Sequence, residues 1–340
     1  MSDTAANLVV EVSCPVCGSD RHQRLRPAVD RWMGVPGDFA YATCQDCGLD
    51  YLRLRPAQEA MALYYPADYI RRGSGPAALR RLFRRLDLAP RVALTRSQPG
   101  QRVLDVGCAT GEYLVRMREA GWTVAGVEPT GWSADAAAAR GLPVWRSTLA
   151  DADLPCGAFD VATMWDVVEH LDEPAADLAR VRSALRPGGR LLIATPVRDG
   201  WEARLYGERW PGWDAPRHLT VFTRRRLADL LRDAGFRVLG RHYIYESYLI
   251  TAMAAGLVAR ERLPAPLADV VWGLLHARPL RLLMAPAFRA ADHLLGGCWV
   301  TLVAEAVAPG GDESAPSDAL AASRGDAFAP PLAEPPGDGT

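Results

Sequence analysis

The chain contains no lysine, so all of the basic residues among its 340 are arginine. They number 39 against 40 acidic residues, and the formal net charge is −1. A protein that coats nucleic acid usually carries excess positive charge to neutralise phosphates. The charge balance therefore weighs against a nucleic-acid partner, although locally dense arginine can still form a basic patch.

Long apolar runs are also missing. No stretch reaches the roughly 18 to 20 apolar residues that a membrane-spanning helix requires. The first residues lack the positively charged segment and apolar run of a secretory signal. We therefore expect a cytoplasmic protein, and a hydrophobic content of 49% predicts a sizeable core.

Cysteine is sparse, but four of the seven cysteines form two C-x-x-C pairs, Cys14 with Cys17 and Cys44 with Cys47. In a reducing compartment this spacing indicates metal binding before disulfides. Four thiolates in a tetrahedral array satisfy zinc and leave no open position, so we predict a structural zinc ion. An iron–sulfur centre or a redox pair is the alternative.

Composition divides the chain into six segments. They are a zinc-binding module at 10–55, a helical connector at 56–98, an α/β domain at 99–243, a helical insertion or lid at 244–297, a final strand at 298–307 and a disordered tail at 308–340. The tail is rich in proline, glycine and small polar residues, which cannot bury enough apolar surface to offset chain entropy.

The connector carries leucines at helical spacing, Leu79, Leu82 and Leu86, between many arginines. This pattern predicts an amphipathic basic helix. Its arginines either form a solvated face packed on the main domain or bind phosphates or anionic lipid headgroups. The arginines of this stretch are Arg71, Arg72, Arg80, Arg81, Arg84, Arg85 and Arg91.

β-rich runs alternate with helical patterns through the α/β domain, which predicts a doubly wound, mostly parallel sheet. The predicted strands are Arg102–Gly107, Thr123–Glu128, Phe159–Trp165 and Arg190–Thr195, and the predicted helices are Glu112–Ala120, Ser133–Arg140, Glu173–Leu185 and Arg225–Ala234. Phe236–His242 and Cys298–Ala306 are predicted to pair antiparallel at one edge, with the helical insertion between them.

The segment VLDVGCATGEYL combines a strand ending in Asp105, a turn with Gly107 and Gly111, and a helix start. Glycines allow a ligand to approach the backbone, and a helix start offers free N–H groups. A second strand ends in Glu128, 23 residues after Asp105. An acidic side chain there can accept hydrogen bonds from both ribose hydroxyls.

This segment resembles the first motif of class I S-adenosylmethionine (SAM)-dependent methyltransferases. FDVATMWDVVEHL and LRPGGRLLIATP resemble later segments of that family, and the resemblance covers roughly residues 101–243. It implies a Rossmann-like sheet of seven strands and SAM as the cofactor. Dinucleotide-binding folds lack the later segments, so a nucleotide-dependent dehydrogenase is disfavoured.

The resemblance also implies a cofactor site. Its residues would be Asp105, Gly107, Cys108, Gly111, Tyr113, Glu128, Pro129, Thr148, Leu149, Trp165 and Asp166. Glu128 would bind the ribose, and Thr148 and Leu149 would lie along the adenine. Two departures from the family pattern concern Ala109, which replaces the middle glycine of the turn, and the absence of a clear acidic residue near the adenine other than Asp151.

Two passages offer catalytic groups. The run Asp166-Val-Val-Glu169-His170 is similar to the acidic-x-x-Glu-His run of ubiquinone-type O-methyltransferases, where a divalent ion can also be recruited; Asp166 replaces the first glutamate. A satisfied hydrogen-bond cluster at a strand end is the alternative. In the passage WPGWDAPRHLTVFT, His218 is the candidate general base, unless it caps the next helix, and Arg217 meets either a substrate phosphate or an acidic neighbour.

These features predict methyl transfer to a small molecule or glycan. An N-terminal zinc module before this domain resembles methyltransferases of nucleotide-linked sugars, and the basic helix and insertion suit a lipid-linked acceptor at the inner face of the membrane. An RNA methyltransferase is the second interpretation, although the histidine usual in its zinc module is missing after Cys47. A non-catalytic cofactor-binding protein is the third. Oligomeric state is not predicted.

Overall fold

A computed structural model of the chain describes residues 9–65, 88–244 and 247–307. The basic helix predicted around Leu79, Leu82 and Leu86 and the disordered tail predicted at 308–340 lie outside the described residues. A helix at 88–96, here α1, follows the first gap.

The main domain is a seven-stranded sheet in the order β11-β12-β9-β8-β5-β6-β7. Its strands are β5 (Arg102–Val106), β6 (Thr123–Val127), β7 (Val144–Trp145), β8 (Phe159–Trp165), β9 (Leu185–Pro196), β11 (Phe236–His242) and β12 (Trp299–Ala306). β5 pairs in parallel with both β6 and β8, whereas β12 runs antiparallel to β9 and β11. The predicted doubly wound sheet with an antiparallel edge is therefore confirmed.

Helices cover both faces of this sheet. They are α2 (Glu112–Glu119), α3 (Gly131–Ala138), α4 (Pro174–Ala184), α5 (Trp201–Tyr206) and α6 (Arg224–Asp233). In α6, Thr223 accepts a hydrogen bond from the Arg226 amide at 3.1 Å and so caps the helix. Leu227, Leu230 and Leu231 recur at helical spacing and are buried, which fixes the face that packs on the sheet.

A second, antiparallel sheet is built by the N-terminal segment from β1 (Val9–Glu11), β2 (His22–Ala28), β3 (Phe39–Cys44) and β4 (Asp50–Pro56). Its fifth strand, β10 (Thr220–Val221), comes from the α/β domain and pairs with the first two residues of β4. The sequence pattern did not predict this union of the two units.

The two sheets also share a hydrophobic core. Cys44 and Tyr51 of the small sheet belong to one buried cluster with Leu104, Met164 and Phe222 of the main domain. Apolar side chains of both units therefore exclude water from the same cluster, which packs the small sheet against the main domain.

Three helices precede the last strand: α7 (Ser247–Arg262), α8 (Ala265–Leu275) and α9 (Arg278–Ala291). The predicted helical insertion is therefore present. Several of its apolar side chains are exposed: Leu267, Val270, Leu274, Leu282, Leu283, Leu294 and Leu295. Among the described helices, none combines the length and the apolar character that crossing a membrane demands.

Candidate active site and metal centre

The turn between β5 and α2 is held by the carboxylate of Glu128 at the end of β6. One oxygen of Glu128 accepts a hydrogen bond from the Ala109 amide at 2.8 Å, and the other accepts from the Thr130 amide at 2.9 Å. Ala109 has a φ of 47°, a left-handed conformation that favours glycine. The residue that departs from the family pattern thus adopts the backbone conformation of the glycine it replaces.

Asp105 is buried at the end of β5, 3% exposed, and accepts a hydrogen bond from the Thr163 hydroxyl at 2.7 Å. Burial raises the pKa of Asp105 to about 7 because the charged carboxylate loses its hydration. A nearby cation would restore the charged form. Asp105 and Glu128 therefore place two acidic groups beside one turn.

The chemistry of these groups fits SAM, a cation with a ribose. Each oxygen of Glu128 uses one lone pair on a backbone amide and keeps another for a ribose hydroxyl. Asp105 matches an ammonium or sulfonium charge. The helix that follows, α2, has no side-chain cap at its start, Gly111.

An aromatic wall lies next to this turn. Tyr113 and Trp165 pack edge to face with ring centroids 5.7 Å apart, and the Tyr113 hydroxyl donates to Thr95 at 2.7 Å. The guanidinium of Arg91 lies 5.4 Å from the centroid of the Trp165 ring. Helix α1, which carries Arg91 and Thr95, therefore covers the carboxyl end of the main sheet.

Asp166 follows Trp165 and has a φ of 60°. Its carboxylate accepts from Arg91 at 3.1 Å and from the Trp299 indole at 2.6 Å. Asp166 therefore belongs to a satisfied hydrogen-bond cluster at the end of β8, which was the alternative to a catalytic role. Arg91 pairs with this acidic group at 23% side-chain exposure rather than forming a fully solvated face.

The remaining predicted cofactor residues lie around the same edge. Cys108 is 5% exposed and sits in the turn, with burial raising the pKa of its thiol. Leu149 is buried in the core at 4% exposure, while Pro129 is exposed. The Thr148 hydroxyl donates to the Asp151 carboxylate at 2.7 Å. Asp151 thus lies beside a residue that the resemblance assigns to the adenine.

His218 converges with the adjacent pair Glu169 and His170, although it lies 48 residues further along the chain. One carboxylate oxygen of Glu169 and one ring nitrogen of each histidine all lie within 4.8 Å of one another. The centroids of the two imidazole rings are 4.8 Å apart. Thr195 donates to one oxygen of the fully buried Glu169 at 2.9 Å. Among the described residues, the second oxygen of Glu169 has no hydrogen-bond partner. The cluster is therefore rich in acceptors.

Both histidines are oriented through Nδ1. His170 Nδ1 lies 2.8 Å from the Arg217 carbonyl oxygen, and His218 Nδ1 lies 3.0 Å from the Gly212 carbonyl oxygen. A carbonyl only accepts, so each Nδ1 carries the proton and each Nε2 keeps a lone pair. Two proton acceptors thus lie side by side in a buried site.

Burial controls the protonation of this cluster. It lowers the pKa of His170 to about 3, with the neighbouring His218 adding to the shift. It also lowers the pKa of His218, but the charge of Asp214 opposes that shift. Burial raises the pKa of Glu169 well above its usual range, and Asp166 adds to the rise. At neutral pH both imidazoles are therefore neutral.

The contacts of the passage WPGWDAPRHLTVFT decide between the alternatives for His218 and Arg217. Thr223 caps α6, so the alternative that His218 caps this helix is wrong. The guanidinium of Arg217 is fully buried and binds Asp30 and Asp214, so it meets acidic neighbours. Trp210 is a core residue whose indole donates to Cys298 Sγ at 3.1 Å.

The four paired cysteines meet in space. Cys14 Sγ lies 3.6 Å from Cys47 Sγ, Cys17 Sγ lies 3.5 Å from Cys44 Sγ, and all four sulfurs lie within 4.8 Å of one another. Tetrahedral zinc with Zn–S bonds of ~2.3 Å separates its sulfurs by about 3.8 Å. The spacing and the thiolate donor set fit a structural zinc ion.

Sequence reasoning missed several residues that hold this site. Four residues from distant segments contact the histidine cluster, Asp166 or Arg217: Tyr41, Tyr65, Trp299 and Asp30. None lies in a motif, and no local spacing marks them. Only the pairing of the two sheets brings Asp30 and Tyr41 to the cluster.

Comparison with known proteins finds methyltransferases among the relatives of the chain. A family described as "methyltransferase domain" matches residues 78–240. A tRNA U34 carboxymethyltransferase from Azotobacter vinelandii is 40% identical over 110 residues, covering 30% of this chain and 34% of the relative. A ubiquinone biosynthesis O-methyltransferase from Cereibacter sphaeroides is 30% identical over 162 residues, covering 42% of this chain and 62% of the relative.

Among solved structures, a SAM-dependent methyltransferase from Archaeoglobus fulgidus is 19% identical, with a TM-score of 0.47, and covers 71% of this chain and 99% of that one. The chain spans about a third of the length of the carboxymethyltransferase (34%). The family match and the names of the curated relatives support the prediction of a SAM-dependent methyltransferase.

Proposed function

We propose that the protein transfers a methyl group from SAM to a small molecule or glycan, with the histidine cluster as the proton acceptor. The observation that carries the proposal is that a set of cofactor-binding candidates and a pair of neutral histidines lie at one edge of the main sheet. Glu128 and Asp105 offer acceptors suited to the cofactor, and the neutral pair His170–His218 offers a base.

Bound SAM supplies an activated methyl group on a positively charged sulfur. The turn at 107–111 and Glu128 would hold the ribose, Asp105 would face positive charge, and Trp165 would pack along the cofactor. The chain's own task is to orient the acceptor and to accept its proton.

His218 is the better candidate for the base because Asp214 favours its protonated form, whereas the second imidazole disfavours protonation of His170. As the methyl group leaves the sulfur of SAM for the acceptor atom and S-adenosylhomocysteine is released, the lone pair of His218 Nε2 would accept the proton of the acceptor atom. The imidazolium of His218, favoured by the charge of Asp214, would then release this proton to solvent, while the buried Glu169, whose pKa burial raises, lies beside the two imidazoles.

The choice of acceptor class depends on the net charge and on the zinc module. The relatives include proteins named for a tRNA and for a quinone. The net charge of −1 and the absence of lysine favour a small acceptor over RNA. The zinc module favours a sugar acceptor by its resemblance to sugar methyltransferases.

Two further predictions accompany this function. The four-cysteine centre holds structural zinc. The insertion contacts the membrane surface, and its exposed leucines, such as Leu282 at 75% and Leu294 at 83% exposure, support that contact. Flotation with anionic and neutral vesicles tests it, and absence from both lipid fractions would count against it.

Calorimetric titration with SAM and S-adenosylhomocysteine tests the cofactor site. We expect micromolar binding that Glu128→Gln weakens at least tenfold, because the neutral amide loses a charge-assisted acceptor. The matched control is Glu119→Gln, which removes an acidic group paired with Arg116 on the surface of α2. Equal affinities for both variants, or no binding by the folded wild-type protein, would refute the proposal.

An acceptor screen against nucleotide-linked sugars, lipid-linked sugars and RNA then separates the acceptor classes. RNA binding whose affinity falls steeply with salt, together with methylated RNA product, would favour the RNA interpretation.

A further inference from the structure

The small N-terminal sheet holds the segment that carries His218, residue by residue. The Tyr41 hydroxyl donates to the His218 carbonyl oxygen at 2.8 Å. The Leu52 amide donates to the Leu219 carbonyl oxygen at 2.9 Å. The next two residues form β10 and pair with β4. Four consecutive residues of the α/β domain are thus fixed by backbone and side chains of the N-terminal module.

Arg217 provides a second link to the same module. Its five N–H groups make five contacts: two to Asp214 at 2.9 and 2.5 Å, two to Asp30 at 3.1 and 2.7 Å, and one to the Tyr64 carbonyl oxygen at 3.2 Å. A planar guanidinium bound on every side has little freedom to rotate. The position of its backbone is therefore fixed as well.

Asp30 is in turn locked within the module. One oxygen of its carboxylate accepts hydrogen bonds from the amides of Trp32 at 3.1 Å and Met33 at 2.9 Å. The side chains of Asp30 and Arg217 are both fully buried. The contact therefore connects the turn after β2 to the histidine segment without intervening solvent.

The Arg217 carbonyl oxygen completes the connection, because it accepts the hydrogen bond from His170 Nδ1 at 2.8 Å. The module thus controls both histidines: His218 directly through Tyr41, and His170 through Asp30 and Arg217. A carbonyl held in place selects the tautomer with the proton on Nδ1, which leaves Nε2 as the proton acceptor.

We propose that Asp30 and Tyr41 are positioning residues: Asp30, through Arg217, fixes the orientation and tautomer of His170, and Tyr41 fixes the backbone position of His218. The inference rests on the proposed function, since it assigns these histidines to proton transfer. It makes the N-terminal module a part of the catalytic apparatus rather than a separate binding unit.

Nuclear magnetic resonance of the full chain with ¹⁵N-labelled histidine tests the inference without a known acceptor. The chain has only six histidines, so each imidazole can be assigned by single substitution. We expect His170 and His218 to carry the proton on Nδ1 in the wild-type protein. Asp30→Asn should shift His170 to a mixture of tautomers, and Tyr41→Phe should increase amide hydrogen exchange of residues 217–221 at least tenfold.

Matched controls are available in the same module. Asp38→Asn removes an exposed carboxylate, and Tyr64→Phe removes a hydroxyl that donates to the Pro36 carbonyl oxygen. Neither should change the histidine signals. S-adenosylhomocysteine affinity should stay within threefold of wild type in all four variants, because the cofactor turn lies elsewhere.

Histidine signals and amide exchange that remain unchanged in folded Asp30→Asn and Tyr41→Phe would overturn the inference. If Asp30→Asn does not fold, Tyr41→Phe decides by itself. A wild-type protein that has the expected tautomers but binds no S-adenosylhomocysteine would refute the proposed function while leaving the positioning contacts confirmed. Once an acceptor is known, the positioning variants should lower kcat while leaving KM for SAM unchanged.

Discussion

The two halves of the candidate site are built in different ways. The cofactor half, from Asp105 to Glu128, is one continuous strand-turn-helix-strand unit whose hydrogen bonds connect neighbouring elements. The histidine half joins Glu169–His170 to His218 and then to Asp30 and Tyr41 of another sheet. Local geometry therefore determines the first half, whereas contacts between distant segments determine the second.

This difference predicts that the two halves can be damaged separately. The cofactor half depends on backbone turns within one domain. The histidine half depends on the small sheet, whose second cysteine pair lies between β3 and β4, the strands that hold residues 218–221. Four substitutions or conditions test the separation.

Cys44→Ser should have the largest effect. Structural zinc in small modules contributes on the order of 10 kcal/mol to folding, so the loss of one thiolate should release the metal and loosen the small sheet. We expect faster amide exchange at 9–56 and at 217–221, with the cofactor half changed much less.

Metal analysis and hydrogen-exchange mass spectrometry measure these effects, and Cys156→Ser, at an exposed cysteine outside the cluster, is the control. Equal loosening of both halves would show that they are not separable.

His218→Gln should come next. Removing a general base typically lowers the rate by ~10²–10⁴, while the affinity for SAM should stay unchanged because the histidine half is distinct from the cofactor half. Single-turnover methyl transfer and calorimetry measure the two quantities. His242→Gln, at an exposed position on β11, should affect neither. A parallel loss of cofactor affinity in His218→Gln would contradict the division.

The pH dependence of cofactor binding should be smaller. Asp105 has a pKa raised to about 7 by burial, so it is neutral below that pH and charged above it. A cationic ligand prefers the charged form, and its affinity should fall up to tenfold per pH unit below 7 and level off above.

The stability of the ligand-free protein should change in the opposite sense. Because the folded-state pKa lies above the unfolded value of about 3.9, the stabilising contribution is present at low pH and lost as pH rises through 7. Calorimetry and thermal unfolding from pH 5 to 9 measure both trends. Asp105→Asn should remove both, whereas the exposed Asp135→Asn should preserve them.

Ala109→Gly should have the smallest effect. At a φ of 47°, alanine strains the backbone by ~1 kcal/mol, which glycine relieves. The variant should therefore be about 1 kcal/mol more stable, without a change in the histidine signals. Chemical denaturation checks this, and Ala136→Gly, within helix α3, should instead destabilise by ~0.5–1 kcal/mol. Destabilisation by both substitutions would mean that Ala109 is not strained.

Particular residues show why prediction succeeded in one half of the site. Asp105 and Glu128 end adjacent parallel strands, so the alternating pattern alone places them at the same sheet edge. The spacing of Cys14, Cys17, Cys44 and Cys47 likewise predicts that their sulfurs meet, as they do within 4.8 Å.

The histidine half shows where sequence reasoning ends. The passage around His218 is similar to a Pro-x-His-x-x-x-Phe passage of bacterial methyltransferases, which makes His218 a candidate base, yet the same local sequence also allows a helix cap. Arg91 was grouped with surface arginines, yet it binds Asp166 at the carboxyl end of β8. Such outcomes depend on which distant elements pack together, and neither periodicity nor spacing encodes those partners.

The sequence by itself determined the doubly wound sheet, the cofactor turn and the four-cysteine cluster, because each follows from hydrophobic periodicity or from spacing within a short segment. Only the tertiary structure decided that β10 joins the N-terminal sheet and that Arg217 binds Asp30 and Asp214. Burial then set the protonation of Glu169 and the two histidines, because the cost of desolvating a charge depends on all the surrounding segments.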